Sequence, residues 1–324
     1  MYHVDYDAMI VSQRYRGIIS LNDREAYDII VDGILNDDKI ITVEKPHINI
    51  EKLIDYIHYD HPQLFTFRNY QLRFNRDEII IEPVYLYSHE DYLSLRTNCI
   101  NITRSIIKPF KTSSSYDKVM GVHNWFCTNF TYEEENEESH SIVGPLLRNK
   151  GVCEGFAELF KLLMDMLDVP CSIIMGDVDG EKHAWNCVMV NNKWYHIDVT
   201  FDISRTIHPF VAYDYCMITD DEITTDHSID YKLDLCNSFE LNYYVKNNLF
   251  LQNQSDLDSL IKRLTINSLP ACIDFKLPQV PDKRKASENV MTRCKWALLK
   301  KIQWNHNYTV YENLPTMTFR IIVS

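Results

Sequence analysis

Glycine is scarce in this chain, 8 residues in 324, which excludes a glycine-rich linker or low-complexity architecture. No dinucleotide glycine fingerprint and no phosphate-loop motif occurs. Positive charge is also short. Lys and Arg number 33 against 46 Asp and Glu, a formal net charge of −13. Nucleic acids and anionic membrane surfaces require concentrated cationic side chains, so neither is an expected partner. The short basic cluster Lys283-Arg284-Lys285 reads as a solvated loop.

No stretch approaches the ~18–20 apolar residues of a membrane span. The opening residues, M-Y-H-V-D-Y-D, lack the basic region and apolar run of a secretory signal. A cytoplasmic location is the expectation. The nine cysteines are scattered, odd in number and free of any C-x-x-C pair. They suggest neither a disulfide framework nor a zinc site, and fit a reducing compartment. The twelve histidines show no ligand pair in metal spacing. No cofactor and no metal are expected.

What is present is a large apolar stock. Apolar residues make up 45% of the chain, with 20 Tyr and 14 Phe, enough for an ordered protein of two or three domains. The expected division is an α+β accessory region over 1–105, a core over 106–235 and a mixed region over 236–324. In the first, Asn22–Leu35 and Ile48–Tyr59 read as helices, and Leu64–Phe74 and Glu78–Tyr87 as strands turning at Asn75-Arg76-Asp77. Residues 116–130 read as a helix, and the acidic run Glu133 to Glu138 as a solvated loop. In the last region, Leu257–Leu264 reads as a helix, Pro278–Asn289 as a connector, and Tyr308–Tyr311 and Thr316–Val323 as strands.

The sharpest signal is G-V-C-E-G-F-A at 151–157. Cys153 stands where a helix should begin: Phe156, Leu159, Phe160, Leu163, Met166 and Leu167 recur at three- and four-residue spacing. Asp168-Val169-Pro170 stops it. A helix N-terminus, with its free N–H groups and positive dipole end, favours a thiolate and could hold an oxyanion. A free cysteine is more often a buried small apolar residue, so downstream residues must decide.

Two segments do so. Residues 183–190 and 193–200 read as a hairpin turning at Asn191-Asn192, since asparagine tolerates positive φ. A two-residue turn pairs Val190 with Lys193, Trp185 with Asp198 and His183 with Thr200. His183 and Asp198 then become diagonal neighbours on one face, with Trp185 beside them. Ala184, Val188, Val190, Tyr195, Ile197 and Val199 face a core. Cys153, His183 and Asp198 thus suit a thiol nucleophile, its base and the base's orienter. His196 lies on the same face without an obvious partner, and His123 reads as structural.

The segments V-C-E-G-F-A, H-A-W-N (183–186) and W-Y-H-I-D-V-T-F-D (194–202) together resemble the transglutaminase-like superfamily of papain-like cysteine enzymes. Y-D-K-V, H-N-W-F, H-S-I-V-G-P-L-L and D-D-E-I-T-T-D-H (220–227) agree, so the resemblance spans about 110–228. It implies an α+β core, a nucleophile helix packed on an antiparallel sheet, and a Cys153–His183–Asp198 triad acting on peptide or protein amides. It also implies an upstream side chain near the oxyanion; here His140 and Ser141 are the candidates, with Trp185 beside the substrate. Hydrolysis is the expected reaction. Transfer to an amine, or a catalytically weak binding module on the same fold, are the alternatives.

Overall fold

The computed structural model describes residues 12–134, 136–263, 269–299 and 307–324. The opening M-Y-H-V-D-Y-D, Glu135 of the acidic run and Leu264 of the expected late helix lie outside these residues. Among the described residues no helix is long and apolar enough to cross a membrane.

The N-terminal region contains α1 (Arg14–Ile18), α2 (Leu21–Leu35), β1 (Ile41–Glu44), α3 (Ile50–Asp60), β2 (Phe67–Phe74) and β3 (Glu78–Tyr85). The strands form an antiparallel sheet in the order β1-β3-β2. The apolar faces of α2 and α3 close on it through Tyr27, Ile30, Leu53, Ile57, Phe67 and Ile81. Next come α4 (His89–Ile107), α5 (Ser115–Asn129), β4 (Thr131–Tyr132), α6 (Val143–Arg148) and β5 (Lys150–Gly151). Although α4 falls largely within 1–105, its Tyr92, Cys99 and Ile107 pack into the central core with Phe126 and Phe160.

Three of these helices start with one device. Ser20, Ser88 and Ser114 each accept the N–H three residues on, and each hydroxyl donates to the aspartate there, Asp23, Asp91 or Asp117. A cap of this kind contributes about 1 kcal/mol and fixes the start.

The centre is built from α7 (Cys153–Met166), β6 (Cys171–Val178), β7 (Glu181–Val190), β8 (Lys193–Ile197), α8 (Val199–Arg205), β9 (Cys216–Ile218), α9 (Asp220–Ile223) and β10 (His227–Ile229). The five strands form one antiparallel sheet in the order β10-β6-β7-β8-β9. Asn191 and Asn192 both have positive φ, 53° and 60°, and Val190 pairs with Lys193 as the two-residue turn requires. The ladder ends at Asn186↔Ile197. The expected strand over 193–200 is therefore too long: Asp198 caps α8, accepting the Phe201 N–H at 3.1 Å, and Thr200 is helical.

Helix α7 packs its Phe156, Leu159, Phe160 and Leu163 against Val188, Tyr195 and Ile197 of this sheet. Each such buried side chain contributes about 1.5–3 kcal/mol. The helix is also pinned by a buried cation. Lys161 donates to Asp165 (2.7 Å) and to the Ser12 carbonyl (3.0 Å).

The last region holds α10 (Tyr243–Lys246), α11 (Gln254–Arg263), β11 (Ala271–Lys276), α12 (Lys283–Leu299), β12 (Tyr308–Asn313) and β13 (Thr318–Val323). Its sheet runs β11-β13-β12 around a separate apolar core containing Phe275, Phe319 and Leu298. Here the sequence reading needs correction. The expected connector Pro278–Asn289 turns helical at Lys283, so Lys283-Arg284-Lys285 opens α12 rather than forming a loop. Asp282 supplies the cap, accepting the Lys285 N–H at 2.9 Å.

Candidate active site

Cys153 is the first residue of α7, half-buried, and follows extended Val152. The loop before it lies close: a Cβ on Gly155 would sit 2.4 Å from the Ser139 carbonyl and 2.8 Å from that of Ser141. Glycine is needed there to let the loop pack against the first helical turn. His183, in β7, is buried and offers Nε2 to Asp198 Oδ2 at 2.7 Å. Cys153 is close enough to act on the same imidazole, adding to the rise in its pKa. Asp198 is fully buried at the end of β8, so the sheet supplies the histidine and the first residue past its ladder supplies the carboxylate.

The charges reinforce this arrangement. Burial opposes protonation of His183, but the charge and hydrogen bond of Asp198, together with Cys153, push it up to about 10. Burial would raise the Asp198 carboxyl; the His183 charge and the hydrogen bonds from His183 and His227 hold it well below the usual carboxylate range. Such a group can hold an imidazole in one tautomer and stabilise it when charged.

Residues 101–199 match the family model of the transglutaminase-like superfamily. This segment belongs to that superfamily. The kyphoscoliosis peptidase of Mus musculus is 25% identical over 105 residues, covering 27% of this chain and 16% of that protein. The Homo sapiens protein of that name is 24% identical over 102 residues, 26% of this chain and 15% of that protein. The matched stretches span about one sixth of the length of these curated relatives. A crystal structure of a TGase is 18% identical, covers 52% of each chain and gives a TM-score of 0.32.

Within the transglutaminase-like core, the remaining sequence candidates have other partners. His140 faces Glu154 through Nδ1 (3.1 Å) and Glu134 through Nε2 (3.3 Å). The bond to Glu154 pushes its pKa up to about 9 against the effect of burial, so both ring protons are held by carboxylates. Ser141 donates to the Glu138 carbonyl at 3.1 Å and accepts the Val143 N–H. His140 ties the loop to α7, and Ser141 braces the loop internally. Trp185 is buried; it stacks on His183 at 5.9 Å, and its indole N–H donates to His196 Nδ1 at 3.0 Å. His196 does have a partner, Asp220, at 2.9 Å from Nε2. His123 is buried against Asp202 at 2.9 Å and Tyr213.

Two residues near the triad went unnoticed in the sequence. Tyr132 is half-exposed and pairs with Gly151 across β4 and β5; burial raises its pKa, and the charges of Cys153, Glu134 and Asp198 add to this. His227, on edge strand β10, puts Nε2 3.2 Å from the same Asp198 oxygen that His183 uses. Its Nδ1 lies 2.6 Å from Asp226, whose other oxygen accepts the Tyr215 hydroxyl at 2.5 Å. A chain of paired groups thus backs the triad. His227→Asn should weaken the hold on Asp198. A hydrogen bond to a charged group is worth about 1.5–3 kcal/mol, so turnover should fall roughly 10- to 100-fold while Cys153 remains reactive. Unchanged steady-state kinetics would remove His227 from the positioning chain.

Among the described residues, two sets of side chains bring three metal-capable atoms together: His183–Asp198–His227 and Cys187–His196–Cys236. In the first, both imidazoles already point a ring nitrogen at one carboxylate oxygen in hydrogen-bonding geometry. That arrangement serves to hold protons in place.

The pKa shifts also set a stability window. His183, raised in the fold, adds stability fully present below its unfolded value of ~6.5 and lost as pH climbs through about 10. Asp198, lowered in the fold, adds stability present above ~3.9 and lost as pH falls through its lower native value. The pair therefore stabilises the protein most between roughly pH 4 and 6.5. The Tm difference between the wild type and His183→Gln should peak near pH 5–6 and shrink toward about pH 10. A difference that keeps growing as pH rises above about 6.5 would contradict the pairing.

Proposed function

We propose that the chain performs cysteine-dependent acyl chemistry on peptide or protein amides, with hydrolysis as the reaction. The supporting observation is His183, held by buried Asp198 at 2.7 Å and with its pKa raised in part by Cys153 at the start of α7. In this reading His183, whose pKa is raised, already holds the Cys153 proton, and the sulfur attacks the amide carbonyl as a thiolate. The free N–H groups of the first turn of α7 receive the oxyanion, since His140 and Ser141 are engaged elsewhere. The C–N bond then breaks, His183 gives its proton to the leaving amine, and a thioester remains. Water, deprotonated by His183, attacks the thioester and frees the acid and the thiol. The negative surroundings, Glu133 and Glu134 among them, favour neutral or cationic peptides over acidic ones.

Incubation with a glutamine-containing peptide library, with and without a labelled primary amine, tests the reaction. Cleaved or deamidated peptides, lost in Cys153→Ala, are expected. Dominant Cys153-dependent amine incorporation would replace hydrolysis by transamidation. No product of either kind, with Cys153 inert to electrophilic probes, would leave a binding module on the same fold.

A further inference from the structure

A second group of thiol, imidazole and carboxylate lies beside the triad, outside the chemistry described so far. Cys187 is on β7, two residues beyond Trp185, and pairs across the ladder with His196 of β8. Its sulfur lies 3.6 Å from that of Cys236 and 3.1 Å from His196 Nδ1. His196 Nε2 is 2.9 Å from Asp220 Oδ1. The other Asp220 oxygen accepts the Cys236 N–H at 3.0 Å and pairs with Lys232 at 2.6 Å. Asp220 also donates its own N–H to the Cys236 carbonyl at 2.7 Å. One carboxylate therefore orients the imidazole and fixes the backbone of the second cysteine.

We propose that Cys187 and Cys236 are a disulfide-forming pair, closed by a peroxide and reopened by a dithiol. The sulfurs need to approach by only about 1.5 Å to reach the ~2.05 Å of a bond. Both are buried, but Cys236 belongs to a stretch without regular structure and follows Leu235, which is 60% exposed, so a small opening of that segment admits the oxidant. The two thiols also differ in charge. The hydrogen bond from Cys187 pulls Cys236 down to about 6 against the effect of burial, with His196 assisting, whereas burial pushes Cys187 well up. A thiolate touching a thiol is the reactive form of a dithiol.

The step balances. The Cys236 thiolate attacks one peroxide oxygen, the O–O bond breaks, and a sulfenic acid and hydroxide form; the hydroxide takes a proton to become water. Cys187 loses its proton and attacks the sulfenic sulfur. The S–O bond breaks, hydroxide leaves and takes that proton as a second water. Two electrons pass from the sulfurs to the peroxide.

Metal binding fits the same residues less well. Only three donors converge, and the imidazole nitrogen that would bind the ion already accepts the Trp185 indole N–H. The bond would tie the stretch after β10, the strand of His227, to β7, the strand of His183. It would close a long loop, since the two positions are 49 apart in sequence, and so restrain the unfolded chain.

The test treats the Cys153→Ala variant, which removes the thiol of the candidate active site, with equimolar hydrogen peroxide. The products are digested and sequenced by mass spectrometry without reductant. A Cys187–Cys236 linked peptide is expected, with a Tm raised by several degrees and restored by dithiothreitol. Cys236→Ser and Cys187→Ser should each abolish both changes; the linked peptide remains the deciding readout if either variant folds poorly. Sulfenic or sulfinic acid on Cys236 without the link, a link between other cysteines, or stoichiometric zinc in the purified protein that is lost in Cys236→Ser would each overturn the proposal.

Discussion

Asp198→Asn should lower turnover by up to about 10⁴, as in a comparable triad, and leave the protein folded. The geometry explains both halves. Asp198 Oδ1 accepts the Phe201 N–H and caps α8, and an asparagine oxygen can do the same. Oδ2 receives both His183 and His227, and there an asparagine presents an NH₂ group. His183 must then turn its Nε2 lone pair toward that amide, which places its proton on Nδ1, the nitrogen left for Cys153 in the proposed mechanism. In that tautomer it cannot take the thiol proton. Kinetics on the peptide identified by the library assay, alongside circular dichroism, decide the matter. A variant that retains wild-type turnover would show that Asp198 does not orient His183.

The largest effect on stability is expected from Lys161→Met. Lys161 is fully buried on α7 and bonded to Asp165 and the Ser12 carbonyl. Burial opposes its charge, but Asp165 and Asp60 raise its pKa and keep it protonated. Methionine fills similar space and leaves Asp165 in the core without its cation. Breaking a buried pair from one side costs about 3–5 kcal/mol, a fall in Tm on the order of 10 °C for a protein of this size. Lys161→Met combined with Asp165→Leu should recover part of the loss, because no unpaired charge remains. Equal Tm values for the single and double variants would mean that the missing cation is not the cause.

The parts of the fold set by local chemistry were legible in the sequence. The apolar period of α7, its stop at Asp168-Val169-Pro170 and the Asn191-Asn192 turn each follow from a few neighbouring residues, and together they placed Cys153, His183 and Asp198. The hairpin register held from Val190↔Lys193 to Asn186↔Ile197. It failed past Ile197 because Asp198 can cap a helix as readily as extend a strand, a choice made by the residues after it. Helix α12 was hidden by reading Pro278–Asn289 as a connector, whereas Pro281 and Asp282 stand just before its start. The start of α4 did carry a signal, Ser88 three residues ahead of Asp91, the same pattern that opens α2 and α5.

His227 was beyond local reasoning. It joins Asp198 only because β10 returns to pair with β6, His227 opposite Val178, a non-local contact that no periodicity announces. The same holds for His196. Its partner Asp220 comes from α9, and Cys236 from the irregular stretch after β10. The segment D-D-E-I-T-T-D-H contained both Asp220 and His227, but its part in the site required the sheet.

The most direct test of the central claim is competitive alkylation of the nine cysteines in the folded protein. Limiting iodoacetamide is applied near pH 6 and the sites are read by mass spectrometry, in the wild type and in His183→Gln. Seven cysteines are buried, and burial pushes the half-buried Cys272 up to about 12. Cys153, half-buried at a helix start and near enough to His183 to raise its pKa, should be labelled first, and much more slowly in the variant. Unselective labelling, or a Cys153 rate indifferent to the loss of His183, would contradict a nucleophile and base at this site.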